Sequence, residues 1–207
     1  MRIIFGIAAL FIVPVAAAQE KTYRFAWTPF AGYAFGGAFD DVNGIDSLDL
    51  EDDANLGLIL DIRDTANTQW EILYSRQVTA ADTTSLPVSS SSFDVDVHYV
   101  QAGGTYQGGG DHARPYLAAT IGATHFDPGL SGSDSETFFS FSIGLGLQFR
   151  PDDGLGFRLE ARAFGTVLES NSNIFCETGP AANICAITTE GSVLWQLATF
   201  AGLVIRF

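Results

Sequence analysis

Val193-Leu-Trp-Gln-Leu-Ala-Thr-Phe-Ala-Gly-Leu-Val-Ile-Arg-Phe207 closes the chain, and its side chains sort by parity. Val193, Trp195, Leu197, Thr199, Ala201, Leu203, Ile205 and Phe207 share one face, which is apolar apart from Thr199 and has aromatic rings near both ends. Leu194, Gln196, Ala198, Phe200, Gly202, Val204 and Arg206 share the other, which mixes small, apolar and polar groups. Successive residues of a strand point to opposite sides of the sheet. A greasy face girdled by aromatics and backed by a mixed face suits a strand that separates hydrocarbon from the inside of a barrel. The last strand of a soluble sheet is the competing reading of this segment alone.

The other end of the chain points to export. Met1-Arg2 is a short basic start, Ile3 to Val13 is an apolar run, and Ala16-Ala17-Ala18 is a small-residue cleavage site. Residues 1–18 therefore read as a secretory signal peptide, too short for a membrane-spanning helix. Cleavage after Ala18 leaves residues 19–207 as the mature domain; a retained anchor helix is the alternative. Loss of Arg2 takes the net charge from −14 to about −15. Such an acidic chain repels nucleic acid, so none is expected as a partner.

Composition points to an all-β chain. Hydrophobic residues make up 47% and charged residues only 16%, yet no apolar run after the signal approaches the ~20 residues of a membrane helix. Glycine and phenylalanine are abundant, which fits many short strands joined by turns. The two cysteines, Cys176 and Cys185, are expected to close a small loop disulfide in an oxidising compartment. A metal site or two free thiols are the other readings of that pair.

Eight strand-like segments follow one another: Pro29 to Phe39, Asn55 to Arg63, Thr68 to Val78, Phe93 to Gln107, Arg114 to Phe126, Phe139 to Arg150, Leu155 to Leu168, and the closing segment. The sixth is the clearest, with Phe139, Phe141, Ile143, Leu145, Leu147 and Phe149 against Ser140, Ser142, Gly144, Gly146, Gln148 and Arg150. In the fourth, Phe93, Val95, Val97 and Tyr99 alternate with Asp94, Asp96 and His98; the pattern slips near Val100-Gln101, which predicts a β-bulge. Connections alternate long and short, the short ones being Asp64 to Asn67, Gly108 to Asp111 and Pro151 to Gly154. Outer-membrane barrels place short turns in the periplasm and long loops outside. The fold class predicted is an eight-stranded antiparallel up-and-down transmembrane β-barrel.

From Pro29 to Phe207 the chain resembles the small eight-stranded bacterial outer-membrane barrels, the families of the OmpA transmembrane domain, OmpX and OmpW. The resemblance rests on strand pattern, loop rhythm and the terminal Phe207, not on a signature motif. It implies residence in a Gram-negative outer membrane, contact with outer-membrane lipids and lipopolysaccharide, and a monomer. It also implies that Phe207 is an assembly signal read by the barrel assembly machinery. No peptidoglycan-binding domain is expected after Phe207, so the wall-anchoring role of full-length OmpA is not carried over.

Parity places Asp61, Arg63, Glu71, Asp94, Asp96, His98, Arg158, Glu160, Arg162 and Arg206 on inward faces. An eight-strand barrel is just wide enough to be filled by side chains, and charges buried there must pair. A charge network plugging the lumen is the expectation; a gated polar conduit is the alternative. For catalysis, His98 with Asp96 and the inward Ser140 and Ser142 supply the residue types of a nucleophile and base, without any known lipid A-modifying motif. His125 is read as facing lipid or the interface, and His112 as lying in a short turn. The acidic run Asp40 to Asp53 has carboxylates that suit divalent cations but lacks a calcium-loop spacing. Trp27, Tyr33, Phe35, Phe39, Trp70, Tyr74, Phe93, Tyr99, Tyr116, Phe126, Phe139, Phe149, Phe157, Trp195 and Phe207 are read as interface girdles and lipid-facing packing. No enzyme activity and no cofactor are expected. The functions left are a structural or surface-interaction protein and, alternatively, a narrow channel for small or apolar solutes.

Overall fold

The computed structural model describes residues 23–36, 38–40, 47–82, 92–128, 135–168, 173–178, 183–188 and 193–207. The signal segment, the middle of the Ser/Thr-rich loop and part of the acidic run lie outside these residues. In chain order the strands are β1 (Phe25–Phe35), β2 (Ala38–Asp40), β3 (Ser47–Leu50), β4 (Asp53–Arg63), β5 (Thr68–Asp82) and β6 (Ser92–Gln107). They continue with β7 (Ala113–Pro128), β8 (Glu136–Phe149), β9 (Leu155–Val167), β10 (Asn173–Thr178), β11 (Asn183–Thr188) and β12 (Val193–Arg206).

Eight of these strands, β1, β4, β5, β6, β7, β8, β9 and β12, form an antiparallel wall that closes on itself. β1 pairs with both β4 and β12, and β5 pairs with β6, so each wall strand has two neighbours. The first and last strands are joined by reciprocal bonds: Phe25 N donates to Phe207 O at 3.1 Å and Phe207 N to Phe25 O at 3.0 Å. Closure pairs the strand backbone groups and leaves no open edge, as a wall in hydrocarbon requires. Three connections, 64–67, 108–112 and 150–154, are short and lie at the same end as Tyr23 and Phe207. At the other end β2 and β3 form a hairpin whose β3 extends the wall beside β5, and β10 and β11 form a separate hairpin.

The wall is inside-out relative to a soluble barrel. Ile143 and Leu145 are 52% and 65% exposed on the outside, while Arg158 and Glu160 are 2% and 5% exposed inside. Between the aromatic rings that ring the wall, its outward positions carry no Asp, Glu, Lys or Arg among the described residues. Phe25, Trp27, Trp70, Tyr106, Phe157 and Phe207 form a girdle toward the turn end; Tyr33, Phe35, Tyr74, Phe139 and Trp195 form one toward the loop end. The parity read from the sequence holds for β4, β5, β8, β9 and β12.

It fails for β6. Val95, Val97 and Tyr99 point inward and are buried, whereas Asp94, Asp96 and His98 point outward. Pairing with β5 and β7 runs unbroken through Val100 and Gln101, so there is no bulge. The cause is height. Tyr74 of the loop-end girdle is the register partner of Val100, so residues before Val100 rise past the hydrocarbon. There the outside is polar surroundings, and the inside is an apolar plug of Phe30, Ile59, Leu73, Val95, Val97, Tyr99, Phe126, Phe138, Phe164, Leu168, Leu194 and Phe200. Tyr99 stacks on Phe164 and Phe30 on Phe200, each pair with ring centroids 4.3 Å apart. Tyr99, Tyr116 and Phe126 are thus lumen residues, not girdle residues. The first strand also begins earlier than expected, at Phe25, and ends at Phe35, because Gly36 turns to a left-handed φ of 50°. Within it Pro29 has no N–H to give, and pairing with β12 lapses across Thr28 and Pro29.

Candidate functional site

The polar lumen is built in layers by inward positions of β4 to β9 and β12. Its centre is a five-charge cluster: Asp61 from β4, Glu71 from β5, and Arg158, Glu160 and Arg162 from β9. Asp61 and Glu71 are register partners on adjacent strands, so their carboxylates start side by side. The period of two along β9 stacks its three charges on one face. Arg158 donates from Nη1 to Asp61 Oδ2 at 3.1 Å, from Nη2 to Glu71 Oε2 at 2.6 Å, and from Nε to Glu160 Oε2 at 2.9 Å. Arg162 donates from Nη2 to Glu71 Oε1 at 2.7 Å and from Nε to Glu160 Oε1 at 2.5 Å. Glu71 and Glu160 are each shared by both guanidiniums, which locks two planar forks across the barrel.

Tyr116 completes the cluster. Its hydroxyl donates to Glu160 Oε2 at 2.6 Å and accepts from Arg158 Nε at 2.6 Å, and the Arg158 guanidinium carbon lies 4.5 Å from its ring centroid. Gly144 and Gly146 on β8 make the room. A Cβ at Gly144 would strike Glu160 Oε1, and one at Gly146 would strike the Tyr116 ring. Three carboxylates face two guanidiniums, a formal charge of −1, and Asp61 Oδ1 is left without a hydrogen-bond partner among the described residues.

Neutral hydrogen bonds continue toward the loop end. Thr120 bonds Ser142 at 2.6 Å and Gln101 Oε1 at 2.7 Å, and Gln101 Nε2 donates to Ser140 Oγ at 2.9 Å. Tyr99 donates to Gln196 Oε1 and Gln196 to Gln77 Oε1, both at 2.8 Å, across the barrel. Above them sits the apolar plug. Toward the turn end Gln107 donates to Gln148 at 2.8 Å.

Of the ten residues expected in a lumen network, five meet in the cluster. Arg206 is buried but apart, donating from Nη1 to the carbonyls of Arg150 at 3.1 Å and Asp153 at 2.8 Å in the turn. Arg63 shares a small recess at the turn end with Asp61, Gln69 and Arg206. Asp94, Asp96 and His98 are outside the wall, where Asp96 pairs with Arg76 at 2.7 Å. The serine–histidine arrangement therefore does not assemble: Ser140 and Ser142 are buried in the lumen, and His98 is on the opposite side of the wall from them. His112 lies in the 108–112 turn and His125 faces outward, as expected. No three metal-ligating side chains come together among the described residues, and Asp52 and Asp53 accept bonds from the backbone N–H of Gly36 and Ala54, both at 2.6 Å. Cys176 and Cys185 are register partners in the β10–β11 hairpin; their side chains lie outside the described residues. Tyr116, Thr120, Gln101, Gln77 and Gln196 escaped the charge-based reading because neutral groups give no pairing signal in sequence.

Comparison with known proteins agrees with this architecture. The outer membrane protein beta-barrel domain family matches residues 4–174, more than half of the chain. Among curated proteins no sequence matches. Solved structures that share the fold include Neisserial surface protein A (15% identity, TM-score 0.58, 88% of this chain and 97% of that one). The Pseudomonas aeruginosa outer membrane protein OprG is similar too (12% identity, TM-score 0.52, 89% and 97%). So is the outer membrane protein AlkL (13% identity, TM-score 0.51, 100% and 97%). With its closed wall, its apolar exterior and its charged interior, the chain belongs to the outer membrane protein beta-barrel domain family and so to the outer membrane of a Gram-negative cell.

Proposed function

We propose that this barrel is a closed, non-conducting and non-enzymatic protein of structural or surface-interaction type, whose loop end is presented outside the cell. The observation that carries the reading is the cross-lumen fork of Arg158 and Arg162 onto Asp61, Glu71 and Glu160, all nearly inaccessible to water. Pulling such a set apart to let a solute pass exposes unpaired charges in a confined space, which costs several kcal/mol per ion. The apolar plug supports the same reading, because an ion passing it has no polar partner in stacked rings. The partners that follow are outer-membrane lipids and lipopolysaccharide around the apolar belt of a monomer, and the barrel assembly machinery acting on Phe207.

Planar bilayer recording of the refolded full-length chain tests this. The wild type is expected to insert without unitary conductance steps, and Arg158→Ala/Arg162→Ala to show flickering current. Steady unitary steps from the wild type would overturn the closed reading and leave the narrow channel in its place.

A further inference from the structure

On the outside of the wall, just past the loop-end girdle, two like pairs sit one above the other. His98 of β6 is the register partner of His125 of β7, and Asp96 is the partner of Asp127 two residues further along. All four point outward. Like groups placed directly opposite on neighbouring strands repel or gain nothing, so the arrangement has no value to the sheet as such.

The imidazoles are oriented by their neighbours. The Nδ1 of His98 is hydrogen-bonded to the Tyr74 hydroxyl at 3.1 Å on the β5 side. The Nδ1 of His125 is hydrogen-bonded to Thr137 Oγ1 at 2.8 Å on the β8 side. Each Nδ1 is thus engaged by a hydroxyl from the neighbouring strand on the far side of its own strand from the other histidine. No hydrogen bond engages either Nε2 among the described residues. Hydrogen bonding at one nitrogen that leaves the other free is the second-shell arrangement of metal-ligating histidines. The ring centroids are 6.2 Å apart and tilted by 46°. A zinc ion ~2.1 Å from one nitrogen of each ring would put the centroids about 5–6 Å apart, a small rotamer adjustment from this geometry. No third metal-ligating side chain joins the pair among the described residues, and Asp96 beside it is engaged by Arg76 at 2.7 Å.

We propose that His98 and His125 form a two-histidine cross-strand clamp for a divalent transition-metal cation of the zinc class. The two remaining positions of a tetrahedral ion face outward, at the level of the lipid headgroups, where water can fill them. Nitrogen ligation sets this site apart from a calcium or magnesium site, which would be all oxygen.

The test is isothermal titration of metal-free, full-length refolded protein in detergent micelles with zinc chloride, and separately with calcium chloride. One zinc ion is expected to bind per chain, with His98→Ala and His125→Ala each weakening it at least tenfold. His112→Ala, which changes a histidine in a turn at the other end, is expected to leave it unchanged, and calcium is expected to give no histidine-dependent heat. Heat-modifiable gel mobility reports that each variant is folded, since all of these side chains lie outside the packed lumen. No zinc binding by the wild type, or binding that survives both histidine variants, would overturn the clamp.

Discussion

At the scale of single residues, the lumen is governed by two long forks and the absence of two methyl groups. Arg158 and Arg162 reach their carboxylates only because β8 offers Gly144 and Gly146 directly beside them. A Cβ at Gly144 would meet Glu160 Oε1 and lie 3.1 Å from Arg162 Nε, both members of the shared pair. Neither atom can yield cheaply, because Glu160 is also held by Arg158 and Tyr116. Gly144→Ala is therefore expected to displace a buried ion pair and to cost about 3–5 kcal/mol, the usual penalty of leaving such a pair broken. Gly109→Ala, at a position where an added Cβ meets nothing within 4 Å, is expected to be near neutral. Urea unfolding from lipid vesicles compares the two, and equal midpoints would show that Gly144 is not spacing the cluster. The sequence displayed all of these charges and glycines, but not the partnership. Parity puts Glu160 inward without saying that it bridges two arginines from its own strand.

At the scale of elements, what could be read depended on height in the wall. β8 lies almost wholly in the apolar belt, so its Phe/Ile/Leu face and its Ser/Gly face have one meaning from end to end. β6 leaves the belt near Val100, and the meaning of its faces inverts there: Asp96 and His98 face out, Val97 and Tyr99 face in. Alternation alone reports that two faces differ. It does not report which solvent meets the greasy one, and the apparent slip at Val100-Gln101 was this change of surroundings along a regular strand. The short strands β3, β10 and β11 fall in stretches that read as long loops, and β2 only overlaps the end of the first strand as read to Phe39. In β10–β11 the backbone register sets Cys176 directly opposite Cys185. Directly opposed antiparallel residues have Cα atoms about 4.5–5.5 Å apart, inside the range a disulfide spans. The exported protein is expected to resist thiol alkylation unless reduced first, and then to gain two alkyl groups by intact mass. Two groups gained without reduction would show that the hairpin carries free thiols.

At the scale of the whole molecule, the barrel is a ring whose last residue is also part of its seam. Phe207 exchanges both backbone bonds with Phe25, and the two rings stack at 6.1 Å. The ring of Phe207 is exposed on the lipid side, so its contribution to the folded wall is small. Replacing it with alanine keeps the backbone bonds and loses one aromatic contact, worth about 0.5–1.5 kcal/mol. Phe207→Ala is thus expected to fold into detergent micelles with nearly wild-type yield and stability. If Phe207 acts in assembly as proposed, the amount of heat-modifiable protein in the outer membrane of cells is expected to fall several-fold. The comparison separates recognition from stability: an equal loss in both settings would make Phe207 a packing residue of the β1–β12 seam, and no loss in either would remove its role in assembly.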